Sequence, residues 1–445
     1  MNTNKEVLDT IAANNIKFIR LQFVDILGTV KNVAIPAAQM EKALTTGISF
    51  DGSSIEGFVR IHESDMLLKP DPATFRILPW KAGDSNGAVA GIVCDVHLHD
   101  GTPFEGCPRN VLKKAVGEAE KMGYVMNTGP ELEFFLFEME DGVPTTTPHD
   151  FGGYFDFPPV DLAEDIRRDI VIALEEMDFE IEASHHEVAS GQHEIDFKYG
   201  DALSTADKVL IFRYVTKTAA TNKNLHATFM PKPVFGASGS GMHINISLFD
   251  KNNAGKNIFF DPDDDHKISD EARYFIGGLL AHIKAVTAIT NPLVNSYKRL
   301  VSGYEAPVYI TWSGANRSSL IRVPAARGTG TRIELRSPDP SCNPYLAFAV
   351  ILMAGLDGIK NKIDPGKPIK ENIYEMDFQE ITDAGIETLP TSLSLALDHL
   401  RSDDIVRQAL GEHAYNAFIR IASAEWDAYR VQVHQWELDR YLRML

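Results

Sequence analysis

Two glutamates alternate with apolar residues in the run Gly129-Pro130-Glu131-Leu132-Glu133-Phe134-Phe135-Leu136-Phe137. Period-two alternation is the signature of a β-strand and puts both acids on one face. Two like charges running into an aromatic stretch are unfavourable unless something positive lies between them. A divalent cation would supply that charge. The plainer alternative is a strand with a solvated acidic face, and what tells against it is that the same pattern recurs downstream.

The second acidic cluster lies in 183–197, around His185-His186-Glu187 and Gln192-His193-Glu194. Ser190-Gly191 reads as a two-residue turn between two strand-like runs. That register sets Ala189 opposite Gln192 and Glu187 opposite Glu194. Like charges directly opposite destabilise a hairpin, so the placement makes sense if they share a cation. With Glu133, this pair would form an oxygen-rich site that suits Mg²⁺ or Mn²⁺ better than zinc. There is no His-Glu-x-x-His motif, and the histidines here read as supporting residues rather than ligands.

Two further runs carry the pattern. In 241–248, His243, Asn245 and Ser247 share a face; in 331–336, Arg332, Glu334 and Arg336 do. Alone, His243 would be an ordinary strand histidine and Glu334 half of a salt bridge. In the company of the other acids both become candidates for a second metal.

Between Lys298 and Arg336 the basic residues are Lys298, Arg299, Arg317, Arg322, Arg327, Arg332 and Arg336, and the acids only Glu305 and Glu334. That segment is net +5 (7 minus 2) in a chain of net charge -19. Arginine forks bind phosphate and carboxylate bidentately, so an anionic substrate or a phosphoryl group in transfer would explain the concentration. Surface or inter-subunit salt bridges are the alternative. The loop Gly303-Tyr304-Glu305-Ala306-Pro307 offers one carboxylate at its tip as a lid residue. No Walker A or kinase motif is present, and the glycine-rich run 236–241 does not match GxGxxG. Residue chemistry alone thus reaches an enzyme with a two-metal carboxylate site and an anion-binding arginine cluster, performing phosphoryl transfer or metal-assisted hydrolysis.

These residues must be held by a sizeable scaffold. The chain has 445 residues, 44% hydrophobic and 24% charged, which predicts two or three globular domains. Its charge argues against nucleic acid or an anionic membrane as partner. The longest apolar run, 346–356, is too short to span a bilayer, and the polar start carries no secretory signal. Cys94, Cys107 and Cys342 are odd in number and widely spaced, which predicts a reducing, cytoplasmic setting. Strands are expected at 129–138, 181–188, 192–199, 226–232, 241–249 and 331–336. Helices are expected at 3–15, 108–123, 161–177, 204–221, 269–288, 343–361, 391–400 and from 403 on, with Ser204 and Asp207 as a capping box. Hairpin-like strands beside helices predict an α+β fold.

Several segments together resemble the type I glutamine synthetase family, in its shorter bacterial and archaeal subclass. They are 50–58 (Phe-Asp-Gly-Ser-Ser-Ile-Glu-Gly-Phe), 129–135, 185–194, 241–243, 295–301, 316–318 and 332–334, in the family's order and across nearly the whole chain. The resemblance implies an N-terminal β-grasp domain (1–103) and a catalytic domain (108–445) with a curved antiparallel sheet and flanking helices. It implies a homododecamer of two hexameric rings, each active site completed by a neighbour's N-terminal domain. It assigns Glu133, Glu187 and Glu194 to a first Mg²⁺ or Mn²⁺, and Glu131, His243 and Glu334 to a second. Gly239, Arg299, Glu305, Arg317 and Arg336 match glutamate-binding positions. Glu182, Tyr199, Asn245, Ser247, Arg317, Arg322, Thr329, Gly330 and Thr331 match ATP-binding positions. Asp51, with Ser53, Tyr154 and Glu187, matches the ammonium site, and Glu305 matches the flap. Asp51, Glu305 and Arg317 are the implied catalytic residues.

The chain departs from the family pattern at Ser238, where Asn is usual, and at Ser302 and Ser190, where Pro is usual. Ser302 removes a φ restraint next to the flap. Tyr374 lacks the context of the adenylylated subclass, so that regulation is not expected. Arg60 matches a position linked to feedback by glutamine. The implied reaction is ATP-dependent ligation of ammonia to L-glutamate through γ-glutamyl phosphate. The alternatives are a related glutamate–amine (polyamine or ethanolamine) ligase, a ring protein that binds a nitrogen-regulatory partner, and a metal-assisted hydrolase.

Overall fold

The computed structural model describes residues 3–58, 65–83, 86–303, 306–314, 316 and 318–445. The chain builds two sheets. The smaller has the strand order Val30–Pro36, Ile16–Val24, Ala88–Leu98, Asp65–Pro70, Ile48–Asp51, with Arg76–Ile77 added to Ala88–Leu98. Its first and last long strands, Ile16–Val24 and Ala88–Leu98, are parallel neighbours, while the other pairs are antiparallel. Helices Asn4–Ala13 and Met40–Thr46 close its core, which is built on Ile19, Leu21, Met66 and Ile92. This is the β-grasp unit.

The larger sheet runs Trp312–Ser313, Ile321–Arg322, Ile333–Leu335, Met242–Asp250, Tyr124–Glu140, Gln192–Phe197, Ile181–His186. All its pairs are antiparallel except Trp312–Ser313 with Ile321–Arg322. It curls, leaving one face open and packing the other on helices. The deepest of these, Pro344–Asn361, is apolar on nearly every side and packs against Asp270–Thr290 and Pro108–Lys121. That burial explains its run of apolar residues, since a helix hydrophobic all round must lie inside. Among the described residues no helix is long and apolar enough to cross a membrane. The three cysteines are free and buried.

The expected elements are present, with shifted ends and one corrected cap. Helix Ala202–Asn222 is capped by Asp201, whose carboxylate accepts the Ser204 N–H at 3.0 Å, so Ser204 lies inside the helix rather than at its cap. The acid is the stronger cap in this position because its charge also faces the helix's positive end.

One buried guanidinium joins the two units. Arg109 forks onto Asp207 (2.9 Å twice) and also reaches Asp95 at 2.8 Å and Asp71 at 2.7 Å. Asp95 lies on a strand of the small sheet and Asp207 on a helix behind the large one, so this cluster fixes the two units to each other.

Among the helices, His282 bridges two acids, with Nδ1 2.7 Å from Asp403 and Nε2 3.2 Å from Asp357. Asp403 also caps helix Asp404–Arg430. Burial alone would lower the His282 pKa, but its bonds to Asp403 and then Asp357 outweigh that and raise it. Asp403 is held below its ordinary value: burial opposes this, and the His282 bond wins. A raised folded pKa stabilises below the unfolded value and is lost as pH rises through the folded one; a lowered carboxylate pKa stabilises above its unfolded value. The pair is therefore worth most between about pH 4 and 6.5. We expect His282→Gln to lower the thermal midpoint more at pH 6 than at pH 9; an equal drop at both would refute the linkage.

Candidate active site

Strand Tyr124–Glu140 is the spine of the site. On one side it pairs with Met242–Asp250, setting His243 opposite Glu131; on the other it pairs with Gln192–Phe197, setting Glu194 opposite Glu133 and Asp196 opposite Glu131. One strand further out, Glu334 lies opposite Asn245 and Arg322 opposite Glu334. Period two then turns all these side chains onto one face, while Leu132, Phe134, Ile195 and Ile244 turn into the core.

Two groups of ligand atoms result. Those of Glu131, His243 and Glu334 lie within 4.8 Å of one another, and so do those of His185, Glu187 and Glu194. In the first, His243 Nδ1 is 3.2 Å from Glu131 and 3.8 Å from Glu334. In the second, His185 is 3.6 Å from Glu187 and 3.3 Å from Glu194. Glu133 stands across the strands from Glu194 and accepts hydrogen bonds from Gln192 Nε2 and the Gly241 N–H, both 2.8 Å. The six predicted ligands thus share one face. His185, read from sequence as supporting, sits inside the second group.

The hairpin register differs from the expected one. His185 pairs with Glu194 and His186 with His193, and the Glu187 N–H bonds Gln192 O at 2.8 Å, so Glu187 does not face Glu194 directly. Ser190-Gly191 do form the centre of a turn, closed by the Gln192 N–H on Ala189 O at 2.9 Å, but it sits inside a longer connection, 187–191, which shifts the register. A two-residue type I′ turn needs φ > 0 at both central residues, and only Gly191 has it, at φ 70. Glu187 and Glu194 meet diagonally instead, which is still within reach across a ladder.

The charge on this face is under-compensated by the protein. Burial pushes Glu133 up to about 7; the Glu187 charge adds to this, and His243 and Arg299 oppose it. Burial also raises Glu194 well above its usual range, helped by Asp196, Glu133, Glu131 and Glu187. Asp196 is pushed up to about 7 by burial and by Glu131. Glu131 goes the other way: burial opposes its ionisation, but His243 and Asn245 outweigh that. Such a cluster favours cations, and its carboxylate and imidazole donors suit hard divalent ions. Asp196 was missed from the sequence, although Glu194-x-Asp196 repeats the alternation of Glu131-x-Glu133.

Beside the acids opens a cavity of about 380 Å³ lined by Glu131, Glu182, Asp196, Tyr199, Asn245, Ser247, Thr329, Gly330 and Thr331, among others. Among the described residues it therefore gathers every predicted ATP-binding residue except Arg322. Asn245 is the joint between cavity and cluster, donating to Glu131 at 2.8 Å and accepting from Arg332 at 2.9 Å. Arg322 is not part of that lining; its Nε lies 2.5 Å from Glu334.

Arg299 lies buried below the acids and donates to Ser337 O at 2.7 Å and Arg336 O at 3.3 Å. A Cβ on residue 241 would sit 2.5 Å from its guanidinium, so Gly241 is the residue that lets the strand pass over it. Arg336 pairs with Glu334 at 3.2 Å, and Gly239 O accepts from Gln192 Nε2 at 3.2 Å. Tyr154, half-exposed, stacks on Phe155 at 4.0 Å and lies edge-on to His185 at 5.8 Å. Asp51 ends the edge strand of the small sheet, where it accepts the Ser53 N–H at 2.8 Å; neither residue belongs to the two ligand groups. Glu305, Arg317 and Arg60 lie outside the described residues.

Family models agree with this architecture. The glutamine synthetase β-grasp domain matches residues 15–99, and the glutamine synthetase catalytic domain matches residues 105–441. The glutamine synthetase of Methanosarcina mazei is 60% identical over 444 residues, covering 100% of this chain and 98% of the relative. That of Thermus thermophilus is 56% identical over 443 residues, covering 99% of each. Among solved structures, a GmaS/ADP complex superposes with TM-score 0.90 at 34% identity, covering 98% of this chain and 99% of that one. The cryo-EM structure of Plasmodium falciparum glutamine synthetase superposes with TM-score 0.87 at 29% identity, covering 99% of each.

Proposed function

This chain belongs to the glutamine synthetase family, and from that premise we propose how its residues divide the work. The protein is an ATP-dependent ligase that forms glutamine, and the family's reaction uses ATP and divalent metal. We assign Glu133, Glu187 and Glu194 to a first Mg²⁺ or Mn²⁺ and Glu131, His243 and Glu334 to a second. When bound, these ions offset charge on the phosphates and on the phosphoryl group in transfer.

Glu182, Tyr199, Asn245, Ser247 and 329–331 hold the nucleotide, with Arg322 at the phosphates. Arg299, Arg336 and Gly239 hold glutamate so that its γ-carboxylate oxygen attacks the γ-phosphorus of ATP. The bond to the ADP oxygen breaks and γ-glutamyl phosphate forms. Asp51, with Ser53, Tyr154 and Glu187, takes a proton from ammonium, and the ammonia formed attacks the acyl carbon; phosphate is expelled and takes the nitrogen's extra proton, leaving the amide. Arg317 and Arg336 balance the charge that moves, and Glu305 closes the site against water. The domains divide as 1–103 and 108–445. The working form is a dodecamer of two hexameric rings in the cytoplasm, each site completed by the Asp51 strand of a neighbouring copy.

One observation carries this reading: two carboxylate–imidazole groups share a sheet face with a cavity lined by the nucleotide residues. A steady-state assay with ATP, glutamate and Mg²⁺ or Mn²⁺ should show phosphate release matched one-to-one by glutamine when ammonium is supplied. A higher kcat/KM with ethanolamine or a polyamine than with ammonium would reassign the substrate, and turnover without ATP would overturn the ligase reading.

A further inference from the structure

Beneath the 181–197 hairpin, on the face turned away from the acids, lies a polar layer that the reaction does not use. His186 and His193 pair across the strands, fully buried, their rings edge to face at 4.7 Å. Asp150 is equally buried, with Oδ1 2.9 Å from His186 Nε2. Behind them Arg167 pairs with Asp161 through two contacts, 3.0 and 2.5 Å, and donates to His193 Nδ1 at 3.0 Å. This layer packs against Phe134, whose ring is 5.8 Å from that of His193. Replacing such buried charges with apolar residues of like volume is often neutral or stabilising, so stability alone does not account for them.

What Asp150 touches gives a reason. Its Oδ1 also accepts the Gly191 N–H at 2.9 Å, and its Oδ2 accepts the Leu162 N–H at 3.3 Å. His186 Nδ1 donates to Glu187 O at 2.6 Å, and His186 O accepts the Phe155 N–H at 3.1 Å. One carboxylate thus holds both ends of the turn that carries Glu187 and the far end of the loop that carries Tyr154. The fit is close: a Cβ on Gly152 would lie 2.7 Å from His186 Nε2.

We propose that Asp150, acting through His186 and the Gly191 amide, is a positioning residue that sets Glu187 in the first cation site and Tyr154 beside it. This rests on reading Glu133, Glu187 and Glu194 as that site. The three groups Asp150, His186 and His193 are also close enough to hold a metal themselves. Their hydrogen bonds argue otherwise. His186 donates from both nitrogens, and His193 accepts from Arg167 at Nδ1, so its Nε2 carries the proton and offers no lone pair.

The test is Mn²⁺ titration of the intact oligomer, followed by electron paramagnetic resonance, with steady-state kinetics on the same preparations. Wild type should show two classes of Mn²⁺, and Glu187→Gln identifies the class that belongs to the first site. Asp150→Asn should weaken that class by about 10–100-fold, leave the other within twofold, and raise KM for ammonium with KM for ATP unchanged. His186→Gln gives the same pattern more mildly, and carries the test if Asp150→Asn does not fold. Unchanged affinity in both classes, or equal weakening of both with a lowered thermal midpoint, would overturn the positioning role. If Glu187→Gln itself leaves both classes unchanged, the site assignment fails instead.

Discussion

Glu334→Gln is expected to slow ATP-dependent glutamine formation by about 10²–10³-fold, roughly 2.7–4 kcal/mol of lost charge stabilisation at the transferring group. It should also raise the Mg²⁺ concentration needed for half the maximal rate. The residue is a demanding case because the protein already surrounds it with positive charge. Only 2% exposed, it lies 2.5 Å from Arg322, 3.2 Å from Arg336 and 3.8 Å from His243. A carboxylate so placed would pass for a buried salt bridge. The two roles separate by readout. As a structural ion pair only, its loss removes the carboxylate that faces Arg322 and Arg336 and costs stability, up to about 3–5 kcal/mol, with an unchanged metal requirement. As a ligand, its loss moves the metal requirement, and high Mn²⁺ restores part of the rate. Near-normal turnover at ordinary Mg²⁺ would remove Glu334 from the cation site.

The same residue shows why much of this site was legible in the sequence. Glu131, Glu133, His243 and Glu334 alternate with core residues at period two, and strand period alone assigns them a shared face. The packing of neighbouring strands then needs only a sensible register to bring them together. Glu187 shows where that reasoning stops. Its register depends on the turn, the turn on Gly191, and the Gly191 amide on the carboxylate of Asp150, 41 residues earlier. Ser190-Gly191 is a turn, as the sequence suggests, but nothing local reveals the partner that holds it inside a longer connection. The Arg109 cluster is hidden for the same reason, since its acids at 71, 95 and 207 carry no common spacing. Asp196 differs, because its signal is local: Glu194-x-Asp196 repeats the alternation and sets Asp196 opposite Glu131. The resemblance supplied roles that periodicity could not, above all for Asp51, which lies on the other sheet.

Asp51→Ala should separate the two chemical steps. We expect glutamine formation to fall by about 10³-fold or more, within the range that a well-placed base contributes together with its orientation. Phosphate release from ATP and glutamate without ammonium should persist at a measurable rate, because the cavity beside the acids and both groups of potential ligands lie elsewhere. Equal loss of both steps would argue against the ammonium role. In water a carboxylate with a pKa near 4 is a poor base for ammonium, so the effect must come from placement, and placement raises the question of which copy supplies it. Asp51 ends an edge strand of the small sheet, whereas the acids line the face of the large one. If the site is shared between copies, Asp51→Ala and Glu334→Gln oligomers, each nearly inactive, should regain activity when dissociated together and reassembled. A mixed ring then contains junctions where an intact Asp51 from one copy meets intact ligands from the next. Should each copy complete its own site, every site in the mixture carries one lesion and no activity returns.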